Sequence, residues 1–388
     1  MSSTDDDTST GTAPVPDDVT GWIGETRYAE TADFPVERGY VWTSCASVEN
    51  GNPLYWDDAV AADLTGGPIA PPSTLSLWFR PHHWQPGQTA QKLPLQVHFD
   101  LKDRLGLPEA IMSDSEVVFH EPVRPGDVIS TAQVLRSLSE PKTTKLGTGR
   151  FWVIDVPYRN QRDELVGVET FTGFGYVRAA QPTPSDGPTP AATAAGTGAP
   201  SETVSVGPSE GGPPAGDGSA AETGAPGHVL LGDVAVGDPL PDLAYEVTAT
   251  TVVVGALATR DWRPMHHDRD FAIHRNGARD IFLNTPNQQA WFERFVTDWT
   301  GPQGRPGRLH FRMRDSVYPG DTMTLTGTVA AVETDAAGCG WATVAIEVRA
   351  GGRTEDVGRL CTTATLRIAV PTAPDDNPWR RRGDQWTP

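Results

Sequence analysis

Three cysteines in 388 residues, Cys45, Cys339 and Cys361, are too few and too far apart for a disulfide framework or a zinc-ligand set. So sparse and odd a count fits a reducing compartment, and the expectation is a cytoplasmic protein. Basic residues are also in deficit, 31 Lys and Arg against 50 Asp and Glu, for a net charge of −19. That charge is spread along the chain, so the basic patches needed by nucleic acid or an anionic membrane surface are missing. The one basic cluster, Arg380-Arg381-Arg382, lies in a Pro- and Asp-rich end and is expected to be solvated. No apolar run approaches a membrane span. Met1 to Asp18 has neither a positive n-region nor an apolar h-region, so no secretory signal is visible. No Gly-rich phosphate loop occurs, and no nucleotide cofactor is implied.

What is abundant is equally informative. From about Gln181 to His228 nearly every residue is Pro, Gly, Ala, Ser, Thr, Asp or Glu. Such a stretch cannot bury enough apolar surface to offset its ordering entropy and reads as a disordered linker. The expected organisation is a tail at 1–20, a first domain at 21–180, the linker at 181–228, a second domain at 229–372 and a tail at 373–388.

The two halves resemble each other. Asn52-Pro53-Leu54-Tyr55-Trp56-Asp57 stands where the second half has Arg263-Pro264-Met265-His266-His267-Asp268. Glu121-Pro122-Val123-Arg124-Pro125-Gly126-Asp127 likewise pairs with Asp315-Ser316-Val317-Tyr318-Pro319-Gly320-Asp321. Pro-Gly-Asp reads as a turn, followed by strand-like alternation through Met323, Leu325 and Val329 in one copy and from Val128 in the other. Thr285, Pro286 and Gln288 read as the N-cap, first residue and capping-box partner of a helix. Trp291, Phe295 and Trp299 continue it at helical spacing, with Ala290, Phe292 and Val296 widening an apolar face meant for a sheet. Pro71-Pro72-Ser73-Thr74 opens the matching helix through Leu75, Leu77 and Trp78. Phe151–Val156 and Ala342–Val348 read as strands. The pattern predicts α+β architecture, an antiparallel sheet wrapped on a central helix, present twice.

The segment Asp261-Trp262-Arg263-Pro264-Met265-His266 places a carboxylate and an imidazole on a proline-bent loop. Such a pair can hold one water and move protons at neutral pH without a metal. The plainer alternative is two surface-loop residues. At the matching positions the first half has Asn50 and Tyr55, which cannot act as a carboxylate–imidazole pair. His266-His267-Asp268 lacks a third metal ligand nearby, so no metal is expected. His267 reads as structural or solvent-facing, and Asp268 as a cap on the following turn. His82-His83 beside Trp84 reads as an insertion loop, with lining of a ligand entrance as the alternative. Arg263 is either a surface charge or a contact for ligand phosphates.

Asp261, Pro264, His266, Asp268 and Ala272 follow the pattern Asp-x-Asn-Pro-x-His-x-Asp of the MaoC-like, (R)-specific enoyl-CoA hydratases, with Arg263 in the usual Asn place. The first half resembles the associated FAS1-like dehydratase domain through Asn52-Pro53-Leu54-Tyr55 and Gly67-Pro68-Ile69-Ala70-Pro71-Pro72. Asp280–Asn284 and Thr297–Pro302 are similar to an actinobacterial branch that includes steroid side-chain enoyl-CoA hydratases. The resemblance implies a double hot-dog in which Asp261 and His266 are catalytic and the first half widens the pocket for a bulky acyl chain. It also implies an oxyanion donor at the entrance of the second helix, here the backbone N–H of Asn284 in place of the family's Gly. The substrate would be an acyl-CoA or acyl-carrier thioester, hydrated across its 2,3 double bond. Competing expectations are a non-catalytic thioester-binding scaffold and a hot-dog thioesterase. The acyl chain, the roles of Asp261 and His266, and association into a homodimer stay open.

Overall fold

A computed structural model describes residues 15–88, 95–178, 229–351 and 358–388. The expected linker at 181–228 and most of the expected N-terminal tail lie outside the described residues. Eleven strands form one sheet: β1 (Thr26–Thr31), β2 (Glu109–Phe119), β3 (Ser130–Leu138), β4 (Lys142–Thr144), β5 (Gly147–Arg159), β6 (Leu165–Arg178), β7 (Leu243–Glu246), β8 (Arg305–Met313), β9 (Thr322–Thr334), β10 (Gly340–Gly351) and β11 (Arg359–Ala369). Their order is β1-β3-β5-β6-β2-β8-β11-β10-β9-β7, with β4 paired to β5. The order reads the same from either end once the halves are superposed: each contributes five strands to this path, joined edge to edge where β2 meets β8. That antiparallel seam matches Ser115 with Phe311 and Val117 with Leu309.

The helix of the second half, Thr285–Thr300, is buried on almost every side. Its aromatic residues Trp291, Phe292 and Phe295 supply the apolar contact, as their spacing predicts. Gly327 in β9 makes that contact possible, since a Cβ there would meet the Phe295 ring at 2.6 Å. The matching segment, Pro72–Phe79, is a 3-10 helix and not an α-helix. It is short, opens on two prolines, and Thr74 bonds back to the Pro71 carbonyl at 2.6 Å, competing with α-type pairing.

Backbone pairing confirms the repeat residue by residue. Val36 and Gly126 exchange partners around one Pro-Gly-Asp turn (Val36 N to Asp127 O, Gly126 N to Val36 O), as do Val247 and Gly320 around the other. The amides of Ala70 and Leu283 donate to Val123 O and Val317 O at 2.8 and 3.0 Å. The architecture is the expected α+β double hot-dog. No helix among the described residues is long and apolar enough to cross a membrane.

Two boundaries need correction. The end of the chain, 373–388, was expected to be a flexible tail with a solvated arginine run, and it is a packed clamp. Trp379 and Trp386 are buried, and their indole N–H groups donate to Pro302 O and Phe119 O. Arg305, at the start of β8, donates to the carbonyls of Pro378, Arg381 and His120 and lies 3.5 Å from the Trp386 ring centre. Arg381 and Arg382 pair with Asp376 and Glu121. Two tryptophans supply the apolar burial that a Pro- and Asp-rich composition disguises. At the other end, Asp17–Thr20 is a helical turn with Val19 fully buried, so order begins inside the expected tail.

Removing the clamp's anchor by Trp379→Ala should cost about 3–5 kcal/mol, the usual range for deleting a buried aromatic side chain. Urea unfolding would read this as a lower midpoint, and an unmoved midpoint would show that the segment does not hold the seam.

Candidate active site

The second-half helix Ala249–Ala258 opens on a capping box between Thr248 and Thr251 and ends before Arg260, whose φ is +48°. That left-handed residue turns the chain so that Asp261 faces inward. Its Oδ1 accepts the Arg263 amide at 3.4 Å, and a 3-10 turn over Pro264–His266 then brings the imidazole back. Proline at the first position of the turn presets this bend. Asp268 caps the next helix by accepting the Phe271 amide, as expected.

Asp261 and His266 are both buried, at 7 % and 6 % exposure, with Asp261 Oδ2 3.8 Å from His266 Nε2. This is too long for a direct hydrogen bond and suits a bridging water. His266 Nδ1 lies 2.8 Å from the Phe282 carbonyl. A carbonyl only accepts, so the Nδ1 proton is committed there and the neutral ring presents its Nε2 lone pair to the Asp261 side. Burial lowers the imidazole pKa, against the opposing pull of the Asp261 carboxylate. Burial pushes the Asp261 carboxyl up, but Arg80, His266, the Asn284 amide and Arg263 outweigh it and leave the value low. The pair is therefore a carboxylate beside a neutral imidazole at neutral pH.

Asn284, expected through its backbone, also acts through its side chain. It is the N-cap of the central helix, Oδ1 accepting the Asn287 amide at 3.3 Å, so the expected cap at Thr285 is displaced by one residue. Its Nδ2 donates to Asp261 Oδ2 at 3.1 Å and to Thr259 Oγ1 at 2.6 Å. The expected capping-box role of Gln288 is also absent, because its Oε1 accepts from Thr362 Oγ1. Asn outranks Thr as a cap, and Pro286 sits comfortably in the first turn after it. The Asn284 backbone N–H finds no acceptor among the described residues.

The first half repeats the loop without the chemistry. Asn50 occupies the Asp261 position, with the same pairing of its amide to Cys45 O as Asp261 makes to Ala256 O, and its Oδ1 accepts the Asn52 amide. Glu49 ahead of it has φ +52°, matching Arg260. Tyr55 replaces His266, and its hydroxyl donates to Glu293 Oε1 at 2.6 Å; the Ser73 amide donates to Glu293 Oε2 at 2.7 Å. A carboxylate from the second half's helix thus fills this site. Burial raises the Glu293 carboxyl pKa, with the Tyr55 and Ser73 donors opposing it.

Sequence reasoning missed Glu293 and also Arg80, whose Nη1 lies 3.9 Å from Asp261 Oδ2 across the interface. The other singled-out residues divide clearly. Trp262 donates its indole N–H to Pro81 O, and His83 meets the Trp262 ring edge-on at 5.7 Å, so the His82-His83 loop packs beside the dyad loop. His267 and Arg263 are exposed. No cluster of three or more His, Cys, Asp or Glu set to hold a metal occurs among the described residues.

The lowered His266 pKa has a stability consequence. As pH falls below about 6.5, the unfolded imidazole binds protons first and the native state loses stability. Asp261, also lowered, adds its own loss only at more acidic pH. Between about pH 7.5 and about pH 5.5 the thermal midpoint of wild type should therefore fall more steeply than that of His266→Gln. Equal slopes would contradict a buried neutral His266.

Comparison with known proteins agrees with this architecture. Residues 22–168 match the family described as the FAS1-like dehydratase domain region. The chain is 41 % identical over 97 residues to the beta subunit of a 3-oxo-4,17-pregnadiene-20-carboxyl-CoA hydratase from Mycobacterium tuberculosis, covering 25 % of this chain and 74 % of that subunit. A solved MaoC-like dehydratase superposes with a TM-score of 0.59 at 17 % identity, over 91 % of this chain and 99 % of its own. A Mycobacterium tuberculosis protein described as a double hotdog fold gives a TM-score of 0.54 at 16 % identity, over 89 % and 96 %. A paired hot-dog sheet, a proline-bent Asp–His loop in its second copy and a hydratase subunit matched over most of its length lead to one assignment: the chain belongs to the MaoC-like and FAS1-like family of enoyl-CoA hydratases and dehydratases.

Proposed function

We propose that the protein adds water reversibly across the 2,3 double bond of a trans-2-enoyl-CoA, giving the (R)-3-hydroxyacyl-CoA, at the Asp261–His266 site. The observation that carries this reading is the 3.8 Å separation of Asp261 Oδ2 and His266 Nε2, two proton acceptors that a single water set off the line between them can reach together. A water there donates to both, and its oxygen attacks C3 of the enoyl group. Electrons of the double bond shift toward the thioester oxygen, giving an enolate-like state. One member of the pair takes a proton from the water, and the pair returns that proton to C2, so nothing is consumed but water. The thioester oxygen is met by the backbone N–H of Asn284 at the entrance of the central helix, where free amides and the helix dipole favour negative charge.

The first half, with Asn50 and Tyr55 in the dyad positions and Glu293 bound between its donors, does no acid–base chemistry in this scheme. A single working site in a paired fold supports a bulky acyl chain, whose far end the first half would accommodate. The steroid thioester in the name of the mycobacterial relative supports the same class.

The test is hydration of a panel of trans-2-enoyl-CoA esters running from crotonyl-CoA to a steroid side-chain ester. Asp261→Asn and His266→Ala should each lower kcat by about 10²–10⁴-fold. Hydration unaffected by both substitutions would remove the dyad from the mechanism. Release of free thiol from saturated acyl-CoA, detected with a thiol-reactive dye, would replace the hydratase reading with a thioesterase one.

A further inference from the structure

Among the side chains that cross between the halves, one from each comes from a matched position. Ala70 and Leu283 are matched by their backbone bonds to Val123 and Val317. Counting on equally from them (70 to 80, 283 to 293) reaches Arg80 and Glu293. Glu293 crosses the interface to the dyad position of the first half, at Tyr55. Arg80 crosses in the opposite sense and lies 3.9 Å from Asp261 Oδ2. The pseudo-two-fold relation that joins the halves therefore sends Glu293, within its helix, and Arg80, just past the end of the 3-10 helix, into the other copy's loop, as residues of opposite charge type.

We infer that Arg80, contributed by the first half, is a positioning residue of the second-half site: it anchors the Asp261 carboxylate from across the interface and holds it against the water shared with His266. Three features support this. The Arg80 side chain is 22 % exposed and that of Asp261 9 %, so the attraction is weakly screened by solvent. The Arg80 backbone is tied down, its amide donating to Leu77 O at the end of the 3-10 helix, so the side chain starts from a fixed point. The neutral donor on Asp261 Oδ2 is the Asn284 amide, which leaves Arg80 as the cation supplied from outside the dyad's own loop.

Charged neighbours on every side are accounted for. Asp261 is faced by Arg80, by His266 and by Arg263 of its own loop, and His266 by Asp261, Arg263 and His267. Arg80 is faced in turn by Glu169 of β6, a second carboxyl. Burial raises the pKa of Glu169, while the Tyr158 hydroxyl donates to it at 2.7 Å. Arg80 thus faces two buried carboxyls, of which Asp261 is the one that keeps a low pKa.

The inference rests on the hydratase reading for its role but not for its test. Histidine-labelled full-length protein, with His266→Gln to assign the signal, gives the His266 titration by NMR without substrate. Arg80→Gln should move that midpoint upward by roughly one unit, because losing a nearby cation favours the imidazolium and the protonated carboxyl alike. Arg80→Lys should restore most of it. In hydration assays the acid limb of kcat/KM should move the same way, a loss of about tenfold on the acid side and little above neutrality. An unmoved titration, or a loss of kcat/KM equal at every pH, would overturn the inference and leave Arg80 a packing residue. Inactive wild type with a shifted titration would instead sink the hydratase reading and keep Arg80 in its place. The Lys variant covers the case in which Gln fails to fold, since a folded Lys variant whose titration moves upward by roughly the full unit expected on losing the cation would also overturn it.

Discussion

A buried carboxylate must find donors, and Glu293 finds both of its donors in the other half of the chain. Tyr55 and the Ser73 amide satisfy its two oxygens at 2.6 and 2.7 Å, in a position only 2 % exposed. Breaking such a pairing leaves an uncompensated charge or a costly neutral acid inside the protein. The same helix buries Asn287, Gln288 and Gln289, and Asn287 also reaches across, to Ser47 Oγ at 3.2 Å. Neither helix can be satisfied within its own half. The interface between the halves is thus a polar commitment as well as an extension of the sheet, and the two halves behave as one body because their central helices require each other.

This commitment explains what the sequence could and could not disclose. The repeat, the strands and the aromatic stripe of the central helix were legible because they depend on local spacing: Trp291 and Phe295 must fall on one face whatever lies opposite. The Asp261–His266 loop was legible for a similar reason, since Pro264 bends it locally. Arg80 and Glu293 were not, because their meaning depends on which residue meets them through the pseudo-two-fold, and spacing along one copy carries no such information. Only their equal distance from Ala70 and Leu283 gave a signal, and that alignment required the backbone bonds. The end of the chain misled for another reason. Composition averages over Pro, Asp and Arg there, whereas Trp379 and Trp386 decide its energy.

Strain in the dyad loop is easily mistaken for a catalytic device. Arg260 adopts a left-handed φ immediately before Asp261, the kind of outlier that gathers at active sites. Glu49 does the same before Asn50, in a copy with no acid and no imidazole. A feature shared by both copies cannot owe its existence to the chemistry of one. It belongs to the fold: each helix must stop and turn inward at this point. Arg260 also stacks on Phe34 and Tyr40 of the first half and pairs with Glu37, so the residue carrying the strain is held by the interface. What distinguishes the second copy is the pair of side chains displayed on a bend that both copies make.

The retention of a half without a dyad then has a physical reason beyond providing room for an acyl chain. A single hot-dog of this sequence would leave the β8 edge unpaired, Arg305 without the His120 carbonyl, Glu293 without donors and Asp261 without its outside cation. Three of these are costs to stability, since an open strand edge and unsatisfied buried groups both favour other structures. The fourth acts on the chemistry, because the Asp261 carboxylate would face desolvation with fewer charges to offset it. Losing the acid–base pair from one copy removes none of these supports. Losing the copy would remove all of them together, so the half without an Asp–His pair still shapes the half that has one.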